Sequence, residues 1–277
     1  MRRFAPVVLL GLLAAVPACA PDTPERPAAP PLPPVPQLPS PPPAPVPAAP
    51  SPPPVPAQPA APAPVVVLDP GHNGGNADDP AAINRPVPAG RGETKPCNTT
   101  GTSTDDGFAE HVFTFDVTQR VAEELRQRGI RVTLTRQDDE GVGPCVDERA
   151  AIGNEAGADA VVSIHADGSN SAGANGFHIA HSDPPLNGAQ GDPSVRLAKS
   201  LREGMTGGGF ERATYIGEDG LDGRDDLAGL NLSERPAALV ECGNMRDPAE
   251  AERMRTPEGR ERYAAAIAAG ITAYLGR

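Results

Sequence analysis

Four side chains have the types and settings that metal-assisted hydrolysis requires. His72 stands three residues after a short apolar run, in LDPGHNGG. His165 directly follows VVSI, in SIHADG, and Glu241 closes ALVE, in LVECGN. Glu110 opens a long stretch of helical periodicity beyond the loop that follows His72. If the three apolar runs are parallel strands, the polar residues at their carboxyl ends share one rim, where ligands and reactive groups gather in open sheets. Two imidazoles and a carboxylate suit Zn²⁺, and three protein ligands leave a fourth position open for water. Such a site lowers the water pKa toward about 7 and polarises the carbonyl under attack. A further carboxylate must then move a proton to the leaving nitrogen; Glu241 is the candidate.

Each residue also has an ordinary explanation. A single histidine after a strand is usually a surface or satisfied core residue. Glu110 could simply complement a helix N-terminus, worth about 0.3–1 kcal/mol, and Glu241 could cap or form an ion pair. His178 and His181 are the rival ligands, but three residues apart in one strand they face opposite sides of a sheet and cannot share a metal. His111 is about 100° round the helix from Glu110. Asp69 and Asn73 flank the His72 turn and are candidates to orient a ligand or substrate group, or only to satisfy turn backbone. GHNGG lacks the lysine of a phosphate loop, so its glycines fit better as close-approach backbone beside a metal.

The elements that would position these groups alternate along the chain. VVVLD (65–69), IRVTLT (130–135), DAVVSI (159–164), GFHIAH (176–181) and AALVE (237–241) read as strands. Helices are predicted over 110–128, with Val117, Val121 and Leu125 on one face, and over 147–156 and 194–205. A last helix covers 258–275, striped by Tyr263, Ile267, Ile271 and Leu275. This alternation predicts a three-layer α/β domain with a mostly parallel sheet flanked by helices; strand order is not readable.

Residues 1–20 have the form of an export signal: Arg2 and Arg3, an apolar run from Phe4 to Val16, then small residues. Two processing routes compete. Ala18-Cys19-Ala20 has the form of ordinary signal cleavage, while Val16-Pro17-Ala18-Cys19 resembles a lipoprotein box that would lipidate Cys19 and tether the chain to a membrane. The second is preferred, although Pro17 departs from the usual box. From Pro21 to Pro64 half the residues are proline. A disordered Pro/Ala-rich linker is expected there, with polyproline II character and a reach on the order of 140 Å. Residues 65–277 are then the catalytic domain.

The formal net charge of -12 argues against nucleic acid as a partner, which needs a basic face. Nothing in the sequence indicates oligomerisation, so a monomer is the default. Outside the cytosol two of three domain cysteines can pair. Cys97 and Cys145 lie in polar, loop-like stretches, and Cys242 follows an apolar run. A Cys97–Cys145 bridge is therefore predicted, three free thiols being the alternative.

Val65 to Leu275 resembles the zinc-dependent N-acetylmuramoyl-L-alanine amidases of the amidase-3 type, most of all the actinobacterial members that consist of a catalytic domain alone. VVVLDPGHNGG, AEHVFTFDVTQRVAEEL, VVSIHADG, ATYIGEDGLDGRDDLAGLN and ALVECGNMRDPAEAERM carry the resemblance. It implies His72, Glu110 and His165 as ligands of one Zn²⁺, Glu241 as catalytic acid and base, and a Cys97–Cys145 disulfide. The implied substrate is peptidoglycan or a muropeptide, cut at the amide joining muramic acid to L-alanine. Cleavage within the stem peptide, and a non-catalytic wall-binding or regulatory protein, are the alternative readings.

Overall fold

The computed structural model describes residues 62–277. The expected export signal, the lipidation of Cys19 and nearly all of the proline-rich stretch lie outside the described residues. In chain order the elements are β1 (Val65–Pro70), a 3-10 turn (Gly74–Ala77), α1 (Pro80–Ile83), β2 (Pro86–Gly90), β3 (Glu93–Pro96) and α2 (Glu110–Gln127). Next come β4 (Arg131–Leu134), α3 (Val146–Glu155), β5 (Ala160–Asp167), β6 (His178–Ser182) and α4 (Asp192–Gly207). β7 (Leu221–Arg224), α5 (Ala228–Asn231), β8 (Ala237–Asn244), α6 (Pro248–Arg255) and α7 (Pro257–Tyr274) complete the chain.

Six strands form one sheet in the order β4-β1-β5-β8-β6-β7. β4, β1, β5 and β8 are parallel; β6 runs antiparallel to β8, and β7 follows β6 in parallel. The sheet is thus mostly parallel, with its last two strands reversed. β2 and β3 pair separately as an antiparallel hairpin.

The sheet is covered on both faces, as strands with apolar residues on both sides require. Val66, Leu68, Val162, Ile164, Val240 and Ile179 face one core with the apolar sides of α2, α4 and α7. The predicted stripe on α7 is present: Tyr263, Ile267 and Ile271 are fully buried, and Leu275 packs at the margin. Phe113 of α2 meets the Tyr263 ring edge-on, and Phe210 stacks on its face. Val67, Val161, Ala180 and Ala237 face a smaller core completed by Leu230 of α5 and by Ile152 of α3. That second face carries the chemistry.

Predicted and observed elements differ where pairing extends a strand. β5 continues through His165 to Asp167 and β8 through to Asn244, because each supplies the other's ladder partners beyond the apolar run. His165 therefore lies inside a strand rather than after one. The hairpin gives no sequence signal, since Pro86, Pro88 and Pro96 break any alternation and Pro is depleted in strands.

Candidate metal centre and cleft

His72 follows β1 in a tight turn and has φ of 59°, a left-handed conformation that costs a residue with a Cβ about 1–2 kcal/mol. Buried Arg149 holds the turn in place. Its Nη2 donates to His72 O (2.8 Å), and its Nη1 donates to Asp69 Oδ1 (2.7 Å) and Pro70 O (2.6 Å). Arg136 adds donations to Pro70 O (3.1 Å) and Gly71 O (3.2 Å). Gly71 allows the turn to cross β5, because a Cβ there would sit 2.3 Å from the His165 ring. This is the close backbone approach expected of the glycine-rich stretch. Gly74 and Gly75 instead lie against backbone of residues 139–141.

Glu110, the first residue of α2, is buried between the two imidazoles. Its Oε2 is 3.1 Å from His72 Nε2 and its Oε1 is 3.0 Å from His165 Nδ1. Backbone N–H groups of Thr102 (2.9 Å) and Ala166 (3.1 Å) donate to the same two oxygens. One ligand atom from each of the three residues lies within 4.8 Å of the other two. Burial by itself would raise the Glu110 pKa, but the adjacent imidazoles override it and hold the carboxyl well below its usual range. Burial likewise opposes protonation of His72, yet Glu110 pulls its pKa up. The electrostatics are those of an anion that attracts positive charge into the centre.

Glu241 of β8 is the register partner of His165 on β5, so the two side chains leave the same face. It lines a cleft of about 390 Å³ with His72, Glu110 and His165, which runs on past Leu227, Leu230 and Leu239. Lys95 and Pro96 of the hairpin form part of the rim. Burial, followed by the charges of Glu110 and Asp167, pushes the Glu241 pKa well above the ordinary carboxylate value. Its Oε2 is buried without a hydrogen-bond partner. A shallower groove between α4 and α7 is lined mainly by glycine, alanine and charged side chains, with no imidazole or thiol.

The other candidates stand elsewhere. His111 pairs with Asp139 at 2.8 Å, and His181 meets Asp222 O at 3.2 Å. Asn73 donates to Gly143 O (2.9 Å) and caps the 3-10 turn, so it satisfies backbone rather than aiming at the centre. Asp69 lines the cleft but is committed to Arg149, Thr135 (2.6 Å) and Ser163 (2.6 Å). Burial would raise its pKa, and Arg149 with the two hydroxyls lowers it to about 2. Cys97 and Cys145 are joined by a disulfide, and Cys242 is a buried free thiol.

The segment after Cys97 contributes several residues that the sequence did not single out. Thr99 O lies 3.1 Å from His72 Nδ1, fixing the ring so that Nε2 faces Glu110. Gly101, at φ +77°, passes so close that a Cβ would lie 2.8 Å from both Glu110 Oε2 and His72 Cδ2. No periodicity or motif marks these residues. Arg149 left one faint trace, an arginine on the inner face of a short helix.

An α/β domain with a half-buried His–Glu–His cluster at the carboxyl edge of its sheet has the donor set of a metalloenzyme. Comparison with known proteins narrows this. The family model for N-acetylmuramoyl-L-alanine amidase matches residues 66–273. The N-acetylmuramoyl-L-alanine amidase Rv3717 of Mycobacterium tuberculosis is 48% identical over 211 residues, covering 76% of this chain and 86% of that protein. The crystal structure of the amidase Ami1 from Mycobacterium smegmatis superposes with a TM-score of 0.74 at 52% identity, covering 77% of this chain and 97% of that one. Apo Ami1 from Mycobacterium abscessus gives 0.74 at 51%, covering 76% and 98%. The chain belongs to the amidase-3 family of N-acetylmuramoyl-L-alanine amidases. It is accordingly a peptidoglycan hydrolase.

Proposed function

We propose that the chain cleaves the amide between N-acetylmuramic acid and L-alanine with the help of one Zn²⁺ held by His72, Glu110 and His165, and with Glu241 as general base and then acid. The convergence of those three ligand atoms, brought from a turn, a helix and a strand, carries the reading. The donor set fits zinc: two ring nitrogens and a carboxylate oxygen, with the second nitrogen of His72 already engaged by Thr99 O, as metal-bound histidines generally are. When bound, zinc supplies Lewis-acid polarisation of the scissile carbonyl and a more acidic water.

Glu241 does the proton work. It stands beside His165, open to the cleft on one side and buried on the other. Burial raises its pKa, which makes the carboxylate a better acceptor for the proton of the attacking water and lets it pass that proton on to the departing L-alanine nitrogen. The apolar walls at Leu227, Leu230 and Leu239 exclude bulk water from one side of the bound substrate.

The export signal read in residues 1–20 supports action in the cell envelope, with a membrane tether through Cys19 if that residue is lipidated. A monomer is the working state, and peptidoglycan or a muropeptide the partner. Among the described residues no helix is long and apolar enough to cross a membrane.

Digestion of purified peptidoglycan followed by mass spectrometry tests the reaction. Free stem peptides beginning with an L-alanine amine, beside unsubstituted glycan, are expected; cuts inside the stem would mean a peptidase instead. Glu241→Gln should keep one equivalent of zinc and lose about 10²–10⁴-fold in kcat. Undiminished turnover in that variant would remove Glu241 from its role.

A further inference from the structure

The sheet register places a third polar residue in line with the site. His165, Glu241 and His178 occupy adjacent positions on β5, β8 and β6. Side chains paired across neighbouring strands leave the same face, with Cβ atoms about 4.5–5.5 Å apart in an antiparallel pair. The flanking pairs agree, since Ala180 and Leu239 face the smaller core while Ile179 and Val240 face the larger. Glu241 is thus flanked by His165 on one side and His178 on the other.

His178 is only 2% exposed, and its Nδ1 has no hydrogen-bond partner. Glu241 Oε2 is the other orphaned polar atom in this row. Buried donors and acceptors are rarely left unpaired, and these two orphaned atoms, not hydrogen-bonded to each other, stand on residues directly across from one another. The His178 ring is fixed from outside by Tyr215, which meets it edge-on at 6.3 Å and is itself anchored by donating to Asp167 Oδ2 (2.8 Å).

We propose that His178 is a positioning residue for Glu241, its Nδ1–H donating to Oε2 through one water or after a small rotation of either side chain. The bond holds the carboxylate plane so that the other oxygen is presented to the cleft. Burial keeps the imidazole below its ordinary pKa, against the pull of Asp222 and Asp167, so at neutral pH the ring is uncharged and has one N–H to give. The proposal rests on the role of Glu241 given above.

Three variants test it in the full chain. An asparagine side chain offers an N–H close to the Nδ1 position, a glutamine places it farther out, and leucine removes it. His178→Leu and His178→Gln should lower kcat by roughly ten- to a hundredfold with KM and zinc content unchanged, and His178→Asn should restore most of it. In a Glu241→Gln background His178→Leu should cost nothing further. Wild-type kcat in the leucine variant, or an equal loss in both backgrounds, would overturn the pairing. If the leucine variant does not fold, equal activity of the asparagine and glutamine variants overturns it and unequal activity in the stated order supports it. Full activity of Glu241→Gln alone would instead strike at the general-base assignment.

Discussion

His72 adopts a backbone conformation that most residues avoid, and the cost is met by neighbours that have no direct part in the chemistry. Arg149 ties its carbonyl to β1, Thr99 orients its ring, and Gly101 leaves room for both the ring and Glu110. Misplacing such supporting groups commonly costs ten- to a hundredfold in metal affinity. Gly101→Ala should therefore weaken zinc binding by about that factor, since its Cβ would press on Glu110 Oε2 and the His72 ring from a φ that alanine resists. Competition with a chromogenic chelator measures this. An unchanged dissociation constant would mean that the 99–102 segment follows the ligands rather than setting them.

Among the elements, the β2–β3 hairpin and the disulfide form one unit. Cys97 follows β3 directly, and the bond to Cys145 joins it to the residue preceding α3. Val146 N donates to Cys97 O (2.8 Å), and Asn98 donates to Pro144 O (2.9 Å). The cross-link thus anchors the segment whose next residues reach His72 and Glu110. Closing a loop with a separation of 48 residues stabilises a fold by roughly 2–4 kcal/mol. The double substitution Cys97→Ser, Cys145→Ser should lower the free energy of unfolding by that amount in urea, and should weaken zinc binding as well. A stability loss with zinc affinity intact would confine the disulfide to a structural role. The hairpin was invisible in the sequence because its pairing depends on this anchor and on contacts with α3 and α5, not on alternation.

At the scale of the molecule, Asp69 joins β1 to β4 through Thr135, to β5 through Ser163 and to α3 through Arg149. Its folded pKa, about 2, lies below the unfolded value of about 4. The ionised form is therefore favoured by folding. This stabilisation, roughly 2 kcal/mol, is fully present above about pH 4 and is lost as the pH falls through about 2. Asp69→Asn should be less stable than the parent at neutral pH, and the gap should narrow across that acid window. Unfolding free energies measured at about pH 6 and about pH 2.5 check this. A gap that does not change with pH would assign the effect to packing rather than charge.

The sequence by itself determined the α/β class, the main strands and helices, and four residues fit for metal-assisted hydrolysis. Apolar runs and helical stripes are local patterns, legible because burial demands them wherever the chain ends up. Glu110 reads as a helix start in the sequence, and the structure puts it there. What only the tertiary structure decided was adjacency. Strand order, the reversal of β6 and the extension of β5 and β8 arise from pairing between segments far apart in the chain, and those pairings bring Glu241 beside His165 and His178 beside Glu241. In the sequence His178 figures only as a rival ligand that cannot share a metal with His181, and nothing local shows which residue lies across from it. Thr99 and Gly101 are equally silent, since one acts through a backbone carbonyl and the other through a missing Cβ, and neither leaves a pattern in composition or spacing.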